Sequence, residues 1–225
     1  MTRTADLIHN NYSLDQISKK IDEKTRMSQT PLITLSREVG IQTKQIAASV
    51  AHILGTNWKV FDHEIIADIA KQAHVQERLV EYVDEKHISL VQELVDDVFG
   101  EHYINLEVYH RNLIKVITAI GAQGNAIIVG HGAQFIVPSA LKVRAFTDSR
   151  QQIANIMHNE QITEDEAEKR IATIDKEQRD FMEAVFKREP HDITSFDLVI
   201  QLGPVVTPED AARIIAYSTK QRFHL

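Results

Sequence analysis

The chain contains no cysteine. Disulfides, thiolate nucleophiles and zinc–thiolate sites are therefore excluded, and the compartment leaves no redox mark on the sequence. No window approaches about 18 consecutive apolar residues, the minimum for a helical membrane span. The N-terminal stretch MTRTADLIHNNYSLDQ has no apolar core of signal-peptide length. A cytoplasmic protein with no membrane partner is the expectation. Positive charge is also scarce: 25 Lys and Arg against 32 Asp and Glu leave a net charge of -7. That balance argues against nucleic acid as a partner, because such binders carry a basic stripe. A small anionic substrate stays compatible, since a few focused arginines suffice. There is no internal repeat and no low-complexity tract.

What is present suits an ordinary globular protein. The 225 residues, 43% apolar and 25% charged, are enough for one domain with a small appendage and a sizeable core. Residues 1–30 are polar and read as an appendage with a short helix over Ser13 to Lys24, capped by Ser13 with Gln16 in the capping-box position. The domain proper, 31–225, carries five β-like runs: Leu32–Ser36, Trp58–Phe61, Ala126–Gly130, Leu141–Phe146 and Phe196–Leu202. The third and fifth are almost continuously apolar, which suits parallel strands buried on both faces. Helical patterns between the runs imply crossovers and a parallel sheet.

Two insertions stand out. Residues 62–124 read as several helices, Asp62 to Ala73, Gln76 to Glu85, Ile88 to Phe99 and Asn105 to Gln123, with Asp62, Asp84 and Asn105 as N-caps. Such a region either holds substrate beside the sheet or only covers the core. Residues 162–192 open with the acidic first turn Thr163-Glu164-Asp165-Glu166 and continue with Arg170, Lys176, Arg179, Lys187 and Arg188.

The most informative segment is PLITLSREVGIQTKQIAASVAHILG, Pro31 to Gly55. A strand-like run breaks at Ser36-Arg37-Glu38, turns at Gly40 and restarts as an amphipathic helix. Nucleotide-binding proteins place a phosphate loop at such a junction. Yet Ile41, Gln42 and Thr43 stand where such a loop carries glycines. Other chemistries find less support. His63-Glu64 lacks the second histidine of HExxH, and His87, His102 and His110 lie on separate helical stretches, so no metal site is expected from histidines. There is no GxSxG elbow, and the Gly130-His131-Gly132 turn completes no dinucleotide fingerprint.

Taken in order, ITLSREVG, FDHEII, AIIVGHGAQFIV, EDEAEKRIATIDKEQRDF, KREPHD and FDLVIQ resemble the cytidylate kinase-like family of P-loop nucleoside monophosphate kinases. The resemblance runs from about Pro31 to Ala216. It implies a P-loop NTPase-type three-layer α/β fold with a five-stranded parallel sheet, a helical substrate-binding insertion and a helical lid. It also implies ATP with Mg²⁺ as cofactors and a pyrimidine nucleoside monophosphate such as CMP as substrate, and it leaves homo-oligomerisation open.

Carried over residue by residue, Ser36, Arg37, Glu38, Gly40, Thr43 and Lys44 fall on the family's cofactor loop. Lys44 takes the place of the phosphate-loop lysine. Gln45 falls where the Mg²⁺-binding hydroxyl usually sits, with Thr43 close by. Asp62 and Glu64 match an acidic pair that faces substrate, although Asp62 read alone is equally a helix cap. Gly130, His131 and Gly132 match a Gly-Arg-Gly substrate turn, with His131 in the arginine's place. Arg179 matches the lid arginine that stabilises the transferring phosphoryl group, with Arg188 near the lid's end. By spacing alone, Asp175 and Arg179 make an i,i+4 ion pair.

The departures weigh on function. A loop without glycines, a lost turn arginine, and Gln152 and Asn155 where helix arginines are expected each remove charge-assisted phosphate contacts worth about 1.5–3 kcal/mol. Two readings follow: an ATP-dependent kinase with Lys44, Arg179 and Arg188 as its catalytic set, or a catalytically impaired pseudokinase that senses a nucleotide or binds a partner.

Overall fold

The computed structural model describes residues 30–62 and 108–225. The helices expected over 63–107, and the appendage before Thr30, lie outside the described residues. The described chain runs β1 (Leu32–Arg37), α1 (Thr43–Leu54), β2 (Lys59–Phe61), α2 (Val108–Gln123), β3 (Ala126–Val129), α3 (Ala133–Ile136), β4 (Leu141–Phe146), α4 (Ser149–Glu160) and α5 (Glu164–Phe186). A 3₁₀ turn (Ile193–Ser195), β5 (Leu198–Gln201) and α6 (Pro208–Phe223) complete it. All five expected strands are present, each within two residues of the run that announced it.

The strands form one sheet in the order β2-β3-β1-β4-β5, parallel at every pairing. Central β1 is in register with β3 through Leu35↔Val129 and with β4 through Ser36↔Arg144. Alternation along the strands sends Ile33, Leu35, Ile127, Val129, Val143, Ala145 and Ile200 to one face. There they pack with Ile46, Ala47 and Val50 of α1 and Ala211, Ala212, Ile215 and Ala216 of α6. Small residues on α6 let it approach the sheet closely, and the apolar spacing on both helices follows the 3.6-residue period. On the opposite face of β4, Arg144 is buried within the sheet.

Two of the late helices begin with complete capping boxes. Thr163 and Glu166 satisfy each other's backbone at the start of α5, and Thr207 with Asp210 does the same for α6, where Pro208 occupies the first turn. These contacts hold both carboxyls below their ordinary pKa values, the threonine hydrogen bonds being the main cause. The sheet, α1 and α4 to α6 belong to one compact unit. Val108–Gly124 and Ile136–Ser139 belong to another, in which α2 buries Leu113, Ile114, Val116, Ile117 and Ile120 along one stripe. No helix among the described residues is long and apolar enough to cross a membrane.

Candidate functional site

In a parallel α/β sheet, ligands bind where loops leave the carboxyl ends of the strands. Four of the expected residues gather there. Arg37 ends β1, and its guanidinium Nη1 lies where a Cβ on Gly130 would come within 3.3 Å. Arg37 thus reaches the end of β3. Burial pushes this guanidinium below its ordinary pKa, and the charge of Asp62 opposes that shift. Lys44, in the first turn of α1, places Nζ 3.2 Å from Asp62 Oδ2 just beyond β2; its side chain is 61% exposed. Ion pairs with so exposed a partner contribute about 0–1 kcal/mol. The ammonium can therefore transfer from Asp62 to an arriving anion at little cost, while Arg37 offers a planar fork suited to phosphate.

The loop between them is built differently from a phosphate cradle. A cradle requires backbone N–H groups converging on one anion, usually with glycines supplying the necessary φ values. Here Ile41 packs against the apolar core. Its carbonyl accepts both the Thr43 N–H, at 2.9 Å, and the Thr43 hydroxyl, at 3.3 Å. Thr43 itself is buried. Gly40 alone has the left-handed geometry, with φ +84°, and Asn155 of α4 donates to its carbonyl at 3.1 Å. A Cβ on Gly40 would meet Gln152 O and Ile156 Cγ1 at 3.1 Å each. Gln152 and Asn155, standing where the resemblance leads one to expect arginines, thus serve as a floor for the loop.

These contacts test the fit of ATP with Mg²⁺. Arg37 and Lys44 suit a phosphate group, with Lys44 reaching β- or γ-type oxygens and Arg37 holding two oxygens at once. A Mg²⁺ ion finds no matching ligand in the loop. The Thr43 hydroxyl is turned inward, and the Gln45 side chain donates to Glu209 at 3.1 Å. The site fits an anion and does not fit a loop-held magnesium ion.

Ser36 and Glu38 lie on the other side of β1. Ser36 is half-buried beside Arg144 in the ladder. Glu38 accepts from Arg144 Nη2 at 3.1 Å and from the Thr147 N–H at 3.4 Å. Arg144 was missed on sequence, although its signal is plain in retrospect: a single cation inside the run Leu141–Phe146 must be buried and paired. Its side chain is 5% exposed; its Nη2 also donates to His191 Nδ1 at 2.8 Å, and its guanidinium stands 5.8 Å from the Phe196 ring centroid.

After β3, Gly130, His131 and Gly132 take successive left-handed φ values of +82°, +58° and +69°. Such values suit glycine and strain histidine. Gly132 is required twice over, because a Cβ there would lie 2.4 Å from Phe186 Cε2. Phe186 ends α5 and stacks on Phe135 at 5.5 Å and Phe181 at 6.0 Å between centroids. The lid residues are less gathered. Arg179 is exposed and makes no hydrogen bond or ion pair among the described residues, so the Asp175–Arg179 pair is not formed. Arg188 is half-buried, and its charge lowers the pKa of Asp192 after the main effect of Thr194 hydrogen bonds. Glu64 lies outside the described residues.

Comparison with known proteins places this architecture. A model of the cytidylate kinase-like family matches residues 32–203. Among solved structures, an uncharacterized protein from Eubacterium ventriosum ATCC 27560 aligns with a TM-score of 0.64 at 17% identity, covering 85% of this chain and 99% of that one. A dephospho-CoA kinase from Campylobacter jejuni aligns with a TM-score of 0.39 at 13% identity, covering 85% and 97%. No curated protein sequence matches the chain.

Proposed function

Because the chain belongs to the cytidylate kinase-like family, we propose that it binds the phosphate of a nucleotide-type ligand at the carboxyl ends of β1 to β3, as a kinase-like protein with impaired phosphoryl transfer. The supporting observation is the Thr43 N–H and hydroxyl, both bonded to the Ile41 carbonyl. Two donors that a working loop would aim at phosphate are committed within the loop. Arg37 and Lys44 supply the remaining attraction, and Asp62 holds Lys44 in place until an anion arrives. His131 can donate one hydrogen bond to a substrate phosphate but cannot copy the bidentate fork of an arginine. Contacts that form around a transferring phosphoryl group contribute about 10²–10³ in rate each. Losing several leaves recognition largely intact and transfer slow.

Calorimetric titration with ATP, with and without Mg²⁺, and with a panel of nucleoside monophosphates tests this, with ADP formation followed in parallel. The expected result is weak binding that changes little on adding Mg²⁺, without ADP release. Turnover at about 1–100 s⁻¹ with one monophosphate, the ordinary kinase range, would overturn it. That outcome would establish the second reading, ATP-dependent phosphorylation of a monophosphate such as CMP. The juxtaposition of Lys44 and Asp62 at 3.2 Å favours that reading.

A companion experiment restores the loop. Ile41→Gly, Gln42→Gly and Thr43→Gly combined with His131→Arg should raise ATP affinity by about tenfold or more, the factor expected for one recovered charge-assisted contact. Unchanged affinity would remove the loop conformation as the reason for weak binding.

A further inference from the structure

We propose that Arg144 is a positioning residue that ties the segment after the lid helix to the phosphate loop. The fold-wide search leaves this network as the one cluster of charged side chains outside the strand-end site. Arg144 sits in the middle of the sheet, in register with Ser36 on β1 and Val199 on β5. One guanidinium nitrogen, Nη2, donates both to Glu38 in the loop and to His191 beyond α5, at 3.1 and 2.8 Å. The two acceptors are 153 residues apart (191 − 38) and share this donor. Phe196 covers the guanidinium at 5.8 Å.

The chemistry fixes how the link works. A guanidinium only donates, so His191 Nδ1 must accept, and in the neutral ring the proton resides on Nε2. That Nε2 is buried without a hydrogen-bond partner among the described residues. His191 is therefore held by the single bond to Arg144, and an orphaned buried donor makes the position costly to occupy without it. Glu38 has a second anchor in the Thr147 N–H. When the segment carrying His191 moves, Arg144 loses one of its two acceptors, and the arm that fixes Glu38 shifts with it. Glu38 stands two residues before Gly40, so the loop feels the state of the lid's base. This inference does not depend on the ligand proposed above.

Hydrogen exchange of the full chain at neutral pH, without ligand, tests it through the amides of Glu38 to Thr43. His191→Ala should speed their exchange by about tenfold, the factor implied by losing one hydrogen bond to a charged group. His191→Asn keeps an acceptor and should restore protection, whereas His191→Phe, which only fills space, should not. In a Glu38→Gln background His191→Ala should add much less than it does alone, because the loop's tie to Arg144 is already weakened. All these variants keep Arg144, so none depends on its replacement folding. Loop exchange unmoved by His191→Ala, protection by Phe equal to that by His, or full additivity with Glu38→Gln would each overturn the proposal. Nucleotide affinity plays no part in the readout, so loss of the phosphate site and loss of this link give different results.

Discussion

The loop after β1 and the turn after β3 leave the same sheet edge, and they have gone opposite ways. The first holds one glycine, Gly40, in the left-handed region and buries Ile41; its donors close on its own carbonyl. The second keeps three consecutive left-handed residues and accepts strain at His131 to do so. Gly132 presses against Phe186 of the lid helix, while Gly40 presses against α4. A backbone cradle needs either glycines or an external force that holds the unusual φ values. The β3 turn has such a force in its packing. The β1 loop has relaxed into hydrogen bonds of its own.

The sharpest way to break this comparison is Gly132→Ala. A methyl group there meets Phe186 at 2.4 Å and requires φ +69°. The expected loss is about 3–4 kcal/mol in a denaturant titration, from overpacking and left-handed strain together. A loss below about 1 kcal/mol would mean that the turn is not braced by the lid helix. Next in size, Glu38→Ala leaves the buried Arg144 without its carboxylate. A loss of roughly 2–3 kcal/mol is expected, below the usual range for a fully buried pair because Glu38 is 20% exposed.

His131→Gly sharpens the contrast in the other direction. Relieving a left-handed non-glycine residue should stabilise the fold by up to about 1 kcal/mol, partly offset by the entropy that glycine adds to the unfolded chain. Destabilisation would show that the imidazole makes contacts worth more than the strain. The smallest effect concerns the helix caps that frame the lid and the last helix. Glu166 and Asp210 titrate below their ordinary values through their threonine partners. A depressed folded pKa gives stability that is present above the unfolded pKa and is lost as pH falls through the folded one. Thr163→Ala should lower the melting temperature by roughly 2–4 °C near neutral pH. The difference from wild type should shrink below about pH 4, where the carboxyl is protonated in both. A difference that stays constant into acid would exclude the carboxylate as the source.

Neither Arg144 nor the inward turn of Thr43 was visible from local pattern, and the reason is the same for both. Burial of Arg144 is decided by β1 and β5 closing on either side of β4, and its partners Glu38 and His191 lie 106 and 47 residues away. No local window contains that arrangement. Ile41 read as a poor substitute for glycine; the structure shows it as a good core residue at a loop position. Asp62 read equally as a cap or a ligand, and it is found against Lys44, a pairing set by the neighbouring ends of two strands. Arg179 was placed by motif order alone, and the described residues give it no contact.

By itself the sequence determined the parallel α/β class, the five strands, the helices between them and the family, because continuous apolar runs and 3.6-residue spacing are local consequences of which side chains can be buried. Only the tertiary structure decided which charges meet. Arg37 lies against Gly130, Lys44 against Asp62, and Arg144 between Glu38 and His191 because strand order and register bring distant segments to one edge. Such pairings depend on the closing of the sheet, and a chain read residue by residue carries no record of it.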